Sequence, residues 1–259
     1  MTPKLERLIL KMRSAGKTYK EMATASGLAE TSIGRVLSRH NCLHGGRGSN
    51  PRRRYSIDET AFDGRSEATR YWLGLLVADG NVFETRISLG LKEREHVVKF
   101  RDFISSSAPV MEVRVGTGVY HRLDVYSKAL VTSVGRYGIV PAKSVSVRVP
   151  KELARDRHFW RGVVDGDGWF STTKIRKKSY LYLGLCGSRP LLRQFTEFAS
   201  RLGVPGITVR PYGRVGILRV GAGRAVKLAR EIYRDATVFL ERKARKVEAF
   251  LANAPPPGS

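Results

Sequence analysis

The pattern of apolar and polar positions divides the chain into a short helical region and a longer mixed region. Residues 1–45 show the spacing of three short helices, with Gly27 at the turn between the last two. From about residue 66, apolar helical runs alternate with segments such as RISLGL and LYLGL, whose composition predicts strands. Because the strand patterns come in pairs between helices, we predict an α+β fold with antiparallel sheets.

A weak internal duplication runs through the longer region. The stretch YWLGLLVADG at 71–80 recurs as FWRGVVDGDG at 159–168, and similar strand and helix patterns follow each copy. Each unit is predicted as a helix, a strand hairpin, a helix, a second strand pair and a final helix. The predicted segments are a helix-turn-helix module at 1–45, a basic linker at 46–65, a first unit at 66–150, a second unit at 151–253 and a tail at 254–259.

Small residues lie four positions apart in each copy of the repeated stretch. Gly74 precedes Ala78 in the first copy, and Gly162 precedes Gly166 in the second. Residues at this spacing share one helix face, and glycine inside a helix costs about 0.5 to 1 kcal/mol relative to alanine. The duplicated small-residue face predicts that two helix backbones come very close, with each copy as the partner of the other.

An aspartate followed by glycine ends each copy, as Asp79 with Gly80 and Asp167 with Gly168. We expect these acids at helix C-termini, with glycine as a left-handed cap. A carboxylate at the negative end of a helix dipole is unfavourable by about 0.3 to 1 kcal/mol. A divalent cation would relieve this repulsion, since carboxylate oxygens are the ligands that Mg²⁺ prefers.

The charge of the chain points to a polyanionic partner. Lysine and arginine number 47 against 23 acidic residues, which gives a formal net charge of +24. Such a charge predicts binding to nucleic acid. A membrane partner is not expected, because there is no amphipathic basic helix with an aromatic face and no apolar run of spanning length. Without a signal peptide and with only two cysteines, the chain is expected in the cytoplasm.

The two copies resemble the LAGLIDADG motif, and their occurrence on one chain resembles the single-chain, two-motif LAGLIDADG homing endonucleases over roughly residues 66–252. The first copy departs at Val77, where the family often has an acid, but keeps Ala78 and Asp79. The resemblance implies two αββαββα units about a pseudo-dyad, with sheets that form a saddle on DNA. It also implies Mg²⁺ or Mn²⁺ bound by Asp79 and Asp167, with any role of the Ala78 backbone left open.

The resemblance further implies a basic residue beside the metal in each unit. Lys143 in GIVPAKS and Lys243 in FLERKARKVEAF occupy the matching places, where a lysine would stabilise charge on the phosphate or order the attacking water. Lys243 alone could equally belong to an exposed basic helix face. Glu95 and Arg189 lie near the places of the family's water-positioning residues, but an acid matched to a base leaves their roles open.

Contacts to DNA are expected from three parts of the chain. A helix-turn-helix would present Thr31, Ser32 and Arg35 to a major groove, although a helical hairpin that contacts protein is an alternative. The linker, with Arg52, Arg53 and Arg54, would follow phosphates or serve as a solvated tether. The candidates on the strands are Arg86, Ser88, Arg114, Arg122, Lys174, Arg176, Arg210 and Arg219, some of which would touch only phosphates.

Taken together, these features predict a metal-dependent, site-specific homing endonuclease. It would act as a monomer on a long, asymmetric double-stranded DNA site and hydrolyse a phosphodiester bond on each strand. Two alternatives share the same basic surface: a non-catalytic LAGLIDADG regulator that binds DNA, and an RNA maturase that assists intron splicing.

Overall fold

The computed structural model of the chain describes residues 3–14, 17, 19–39, 54–141, 146–176 and 178–252. Three predicted site residues, Lys143, Arg52 and Arg53, lie outside these ranges, as does the side chain of Arg35. The contacts divide the chain into two compact units, Met1–Arg54 and Tyr55–Ser259. Within the described ranges, no helix is both long enough and apolar enough to cross a membrane.

The N-terminal unit contains the three predicted helices. They are α1 (Pro3–Ser14), α2 (Tyr19–Ser26) and α3 (Glu30–Arg39). Their fully buried core residues are Ile9, Met22, Ile33, Val36 and Leu37. Gly27 follows α2 with φ +68°, a left-handed conformation that favours glycine, and its N–H donates to the Ala23 carbonyl at 2.9 Å. At the start of α3, Thr31 is exposed and Ser32 is half-buried.

The first half of the larger unit has the predicted order of elements. They are α4 (Glu67–Ala78), β1 (Gly80–Val82), β2 (Arg86–Leu91), α5 (Arg94–Phe103), β3 (Met111–Val115), β4 (Gly118–Tyr126) and α6 (Lys128–Gly135). The second half repeats this order after a short additional helix and ends with another. Its elements are α7 (Lys151–Ala154), α8 (Arg157–Asp167), β5 (Gly168–Ile175), β6 (Lys178–Gly187), α9 (Arg189–Arg201), β7 (Arg210–Tyr212), β8 (Val215–Gly221), α10 (Ala222–Tyr233) and α11 (Glu241–Ala252).

Each half builds one four-stranded antiparallel sheet, and the two sheets have the same strand order. The orders are β1-β2-β4-β3 and β5-β6-β8-β7. Ile87 lies opposite Val125 in the first sheet and Leu183 lies opposite Val220 in the second, and all four side chains are buried. Each sheet therefore has one face in the core and one directed outward, which confirms the predicted α+β class and the duplicated topology.

Side-chain caps fix the starts of the two repeated helices. The Ser66 hydroxyl accepts a hydrogen bond from the Thr69 N–H at 3.1 Å and begins α4. The Asp156 carboxylate accepts from the N–H groups of His158 and Phe159 at 2.8 and 3.1 Å and begins α8. Because both caps satisfy free N–H groups in the first turn, the local sequence defines where these two helices begin.

The segment just before α4 packs on the larger unit, although the predicted linker extends to residue 65. Phe62 is fully buried and its ring lies 5.3 Å from that of Phe103. The Asp58 N–H donates to the Ile104 carbonyl at 2.9 Å. The predicted segment boundaries stay predictions.

Candidate active site and nucleic-acid interface

The two repeated helices, α4 and α8, pack against each other through their glycines. A Cβ atom on Gly74 would lie 2.0 Å from the Phe159 carbonyl oxygen, and a Cβ on Gly162 would lie 2.1 Å from the Tyr71 carbonyl oxygen. No side chain fits at either position, because the two backbones are in direct contact. The predicted close approach of the two copies is confirmed.

This packing brings the two motif acids to one end of the helix pair. Asp79 is the C-cap of α4 and Asp167 is the last residue of α8. A Cβ on Gly166 would lie 2.3 Å from the Ala78 Cβ and 3.0 Å from the Asp79 Oδ2. The Asp79 carboxylate therefore lies against the residue that precedes Asp167, so the helix ends that carry the two acids lie side by side.

The glycines after these acids do not act as left-handed caps, so that expectation was wrong. Gly168 has φ −93° and ψ 168°, and Gly80 is already the first residue of β1. A Cβ on Gly80 would lie 2.6 Å from the Leu76 carbonyl oxygen, and one on Gly168 would lie 2.6 Å from the Val164 carbonyl oxygen. Glycine is needed here because each first strand turns back tightly across the last turn of its helix.

Lys243 on α11 lies beneath the end of α8, with only 4% of its surface exposed. Its ammonium donates to the carbonyl oxygens of Val164, Asp165, Gly166 and Gly168 at 2.9, 2.5, 2.9 and 2.6 Å. Burial lowers its pKa to about 8, although the charges of Asp165, Asp79 and Asp167 oppose this shift. Lys243 is therefore not part of an exposed basic face, and its cation satisfies the carbonyls at the negative end of the helix.

The two motif acids offer oxygen ligands of the type that Mg²⁺ or Mn²⁺ accepts. Within the described ranges, the motif acids included, no group of three or more His, Cys, Asp and Glu side chains is arranged to hold a metal ion. The carbonyls of Gly166 and Gly168 already bond to Lys243. A cation at this place would draw on Asp79 and Asp167 and on further oxygens such as those of a phosphate and water, and any role of the Ala78 backbone stays open.

Asp165 forms a buried polar cluster that the sequence did not predict. Its side chain is 1% exposed and accepts from the Tyr233 and Tyr71 hydroxyls at 2.5 and 2.9 Å and from the Leu240 N–H at 2.7 Å. Burial raises its pKa to about 6, and the three donors act in the opposite direction. Tyr71 belongs to α4 and Tyr233 to α10, so one carboxylate connects three elements.

A second charged residue that the sequence did not predict to be buried is Arg161, which lies on α8 one turn before Asp165 and is fully buried. Its guanidinium donates to Glu67 Oε1 at 2.5 Å and to the carbonyls of Val238 and Ile232 at 2.8 and 3.1 Å. Burial alone would raise the pKa of Glu67, but the Thr237 N–H and the Arg161 charge lower it. One sequence signal was available: Arg161 and Asp165 are charged residues four apart inside an apolar run.

Comparison with known proteins adds a shared fold to this geometry. No protein-family profile matches the chain, and no curated protein matches its sequence. The homing endonuclease I-WcaI, bound to its DNA recognition sequence, is 9% identical and aligns over 69% of this chain and 84% of its own, with a TM-score of 0.51. The meganuclease I-SmaMI, a LAGLIDADG homing endonuclease bound to uncleaveable DNA, is 11% identical over 72% of this chain and 90% of its own, also with a TM-score of 0.51.

The chain has the LAGLIDADG fold. A structure of full-length DUF199/WhiA from Thermatoga maritima aligns less closely, with 13% identity over 78% of this chain and 66% of its own and a TM-score of 0.47. At these identities the likeness concerns the fold and not the activity.

In this LAGLIDADG fold, the outward face of the first sheet carries several of the predicted DNA contacts. Arg86 lies opposite Tyr126, Ser88 opposite Asp124, and Gly90 opposite Arg122. Ser88 is only 8% exposed, and its hydroxyl donates to Asp124 at 2.5 Å. Ser88 therefore positions Asp124 and is not itself presented at the surface. Asp124 also pairs with the exposed Arg122, at 3.2 Å.

Not all of the predicted contacts share an outward face. Side chains alternate between the two faces along a strand. Met111 lies opposite Arg122 and Arg114 lies opposite Val119, so Arg114 belongs to the opposite face of the first sheet from Arg122. In the second sheet, Arg210 and Arg219 are on the outward face. Lys174 lies opposite Ser179 on the other face, at the exposed end of the hairpin.

Three further candidates lie at the ends of elements. Arg176 is in the β5–β6 turn with φ +56°, and its side chain is exposed. Glu95 and Arg189 are exposed in the first turns of α5 and α9. Glu95 is the second residue of α5 and Arg189 the first residue of α9, and the roles of both stay open.

Proposed function

We propose that the chain is a metal-dependent endonuclease that hydrolyses one phosphodiester bond on each strand of a long, asymmetric double-stranded DNA site. The observation that carries the proposal is the meeting of two acid-bearing helix ends, where Asp79 Oδ2 lies 3.0 Å from the position of a Cβ on Gly166, next to Asp167. Because one chain supplies both acids, we expect it to act as a monomer. The DNA-bound state of I-WcaI and I-SmaMI is consistent with the same partner.

In this proposal, Asp79 and Asp167 would hold Mg²⁺ or Mn²⁺. The cation supplies Lewis-acid stabilisation of the phosphate charge and activation of water. The contribution of the chain is to fix two carboxylates on stiff helices whose backbones touch, so that the attacked phosphorus has a defined position. The glycine contacts between α4 and α8 thus help to position the two acids.

Lys243 serves in this proposal as a positioning residue. Its ammonium bonds carbonyls on both sides of Asp167, so it fixes the turn that carries this acid and offsets the negative end of α8. Lys143 has the matching place at the close of the first unit. We propose that it acts on the phosphate or on the attacking water beside Asp79.

The DNA is proposed to lie along the outward faces of the two sheets. There, Arg86, Arg122, Arg210 and Arg219 would contact base edges or phosphates. For Arg114 and Lys174, which lie off the outward faces, and for Arg176 in the β5–β6 turn, we propose contacts to phosphates alone, and Ser88 would act through Asp124. The net charge of +24 favours this partner over a neutral one. Additional contacts are proposed for Arg35, Arg52, Arg53 and Arg54.

The proposal is tested by cleavage of duplex DNA that carries the sequence flanking the chain's own gene. Asp79→Asn and Asp167→Asn should each lower the cleavage rate by roughly 10³ or more, since each removes a metal ligand worth several kcal/mol. Affinity for the DNA should be unchanged or higher, because a negative charge facing phosphate is lost. Asp102→Asn, an exposed acid paired with Arg101 at 2.8 Å on α5, is the control and should cut normally.

The outcomes separate the alternatives. Chelation by EDTA should stop cleavage and leave binding in place. Full cutting by either motif variant would contradict the proposed role of the acids. Tight, specific binding without cutting by the unaltered chain would instead favour a non-catalytic regulator, and faster splicing of an intron RNA without DNA cleavage would favour a maturase.

A further inference from the structure

The two motif acids are followed by different side chains on the outward faces of the sheets. Asn81 lies two residues after Asp79, and Trp169 lies two residues after Asp167. Trp169 is 37% exposed, whereas the other two tryptophans, Trp72 and Trp160, are 1% and 0% exposed. The chain therefore places one tryptophan at the surface, and it does so directly beside a motif acid.

The backbone opposite Trp169 is shaped to receive its ring. Trp169 lies opposite Gly184 on β6, and a Cβ on Gly184 would lie 2.0 Å from Trp169 Cζ2 and 2.2 Å from Cε2. The ring thus covers the glycine backbone, and any larger residue at 184 would displace it. Because packing fixes the ring, little side-chain entropy remains to be lost when a ligand binds to it.

A basic group adjoins this ring on the same face. Gly184 also lies opposite Arg219 on β8, whose guanidinium is 4.3 Å from the centre of the Tyr182 ring. Tyr182 in turn covers Gly221, where a Cβ would lie 2.5 Å from Tyr182 Cε1. Trp169, Tyr182 and Arg219 form what we call the aromatic–arginine patch. Two aromatic rings on glycines beside a cation combine apolar surface with attraction for an anion.

The occupant of this patch follows from its neighbours. Cys186 is on the same outward face, opposite Ile217, and its neighbour Leu185 lies opposite Gly168, the residue that follows Asp167. The Asp167 carboxylate is thus close to the face that carries the patch. A ligand whose phosphate lies at Asp167 would place its neighbouring sugar and base over Trp169, and the net charge of +24 favours such a polyanion.

We propose that Trp169 contacts the deoxyribose and base edge of the nucleotide next to the phosphate held at Asp167. The inference rests on the proposed DNA-binding function and assigns a specific contact within it. The second half of the protein then offers the DNA an apolar ring, Trp169. At the corresponding place, the first half offers the side-chain amide of Asn81. An apolar contact releases no counterions, so this part of the affinity is independent of salt concentration.

Tryptophan fluorescence tests the contact directly, with a labelled 30-base-pair duplex as the probe and binding followed separately by anisotropy. Since Trp72 and Trp160 are buried, quenching by acrylamide reports on Trp169. Bound duplex should protect this emission from the quencher. Trp169→Leu should abolish the protected component and weaken binding about tenfold, the scale of one aromatic contact to a base. The slope of log affinity against log salt should not change.

Two variants serve as controls. Arg219→Gln should lower that slope by about one, because it removes a phosphate contact. Ile175→Ala, an exposed residue at the far end of the same strand and face, should leave the quenching and the salt slope unchanged. Trp169→Phe, which keeps a ring over Gly184, should bind more tightly than Trp169→Leu, and thermal melting would show whether each variant is folded.

Failure of this contact differs from failure of the proposed function. If anisotropy shows binding but the duplex gives Trp169 no protection from acrylamide, the assignment of Trp169 is wrong and the DNA-binding function stands. An unchanged affinity of folded Trp169→Leu would overturn it equally. If the unaltered chain does not bind the duplex at all, both the contact and the proposed function fall.

Discussion

The helices α4 and α8 repeat the same motif, yet they differ in the side chains directed into the protein. Both keep the glycine that touches the partner backbone, and both end in an aspartate. At other aligned positions, α4 has Leu73 and Val77 where α8 has Arg161 and Asp165. Symmetry is thus retained at the contact between the helices and at the acids, while the surroundings of each helix are free to diverge.

The two helices also differ in the segments of the chain that their buried side chains contact. The buried charges of α8 bind the chain between Ile232 and Leu240, through carbonyl and N–H groups of that stretch. Lys243 then follows directly and bonds the end of α8. The corresponding positions of α4 are apolar and buried. A buried ion pair adds little net stability, so the benefit we infer is a defined path for the backbone that positions Lys243.

Among the residues that differ between the surroundings of α4 and α8, the largest effect is expected from Lys243, which this backbone path positions at the end of α8. Lys243→Met keeps the apolar stem but leaves four carbonyls at the end of α8 without their cation. We expect the single-turnover rate at saturating protein to fall by roughly 10² to 10³, the scale for a preorganised electrostatic group. DNA affinity, measured by anisotropy, should change little.

The Mn²⁺ dependence of cleavage distinguishes two roles for this lysine. If Lys243 positions Asp167, the variant should need more Mn²⁺ for half-maximal cleavage, because its ligand is displaced. If it acts only on the phosphate, loss of a positive charge should leave that concentration equal or lower. Lys246→Ala on the same helix is the control, and an unchanged rate for Lys243→Met would exclude both roles.

The next effect in size concerns the stability of the α8 cluster. Asp165→Val, which copies Val77 of α4, should lower the free energy of unfolding by about 2 to 4 kcal/mol, since it leaves buried hydroxyl and N–H donors without an acceptor. Urea denaturation measures the change. Adding Tyr71→Phe, which copies Phe159 of α8, should recover part of the loss. Strict additivity of the two changes would mean that Tyr71 does not hold this carboxylate.

The smallest effect is a pH dependence on the side of α4. His96 on α5 lies with its Nε2 2.7 Å from the Tyr71 hydroxyl, and burial lowers its pKa to about 4, with Lys99 adding to the shift. The matching residue beside α8 is Leu191, as shown by the parallel ring contacts of Trp72 with Phe100 and of Trp160 with Phe195.

His96 should make the fold sensitive to acid. Below its unfolded pKa near 6.5, the unfolded chain takes up a proton that the folded chain refuses until about pH 4. Stability contributed by the neutral imidazole is therefore present above pH 6.5 and lost as the pH falls towards 4, with about 2 kcal/mol lost at pH 5. Urea denaturation at pH 7 and pH 5 measures this loss in the unaltered chain and in His96→Leu. Between the two pH values, the free energy of unfolding should fall by less in His96→Leu, with a difference of that amount. Equal falls in the two proteins would contradict the assignment.

The success of the sequence prediction differed between the repeated residues and the residues that surround them. The glycines, the paired strands and the two acids were predictable because a repeat marks what both halves require, and helix and strand periodicities are local. The left-handed caps at Gly80 and Gly168 were predicted wrongly, because local statistics favour that conformation after a helix. The tight turn into the next strand requires a different backbone conformation at these glycines.

By itself, the sequence determined the α+β class, the duplication, the close contact of two helices and the place of the acids at their ends. The tertiary structure alone decided which charges are buried, since Arg161 and Asp165 find hydrogen-bond partners on distant segments of the chain, at Glu67 and Tyr71 on one side and between Ile232 and Leu240 on the other. It also decided that Lys243 bonds the end of α8 and that Arg114 and Lys174 lie on different faces from Arg122 and Arg219. Hydrogen-bond partners and strand register depend on contacts between distant segments, and no local pattern of residues specifies them.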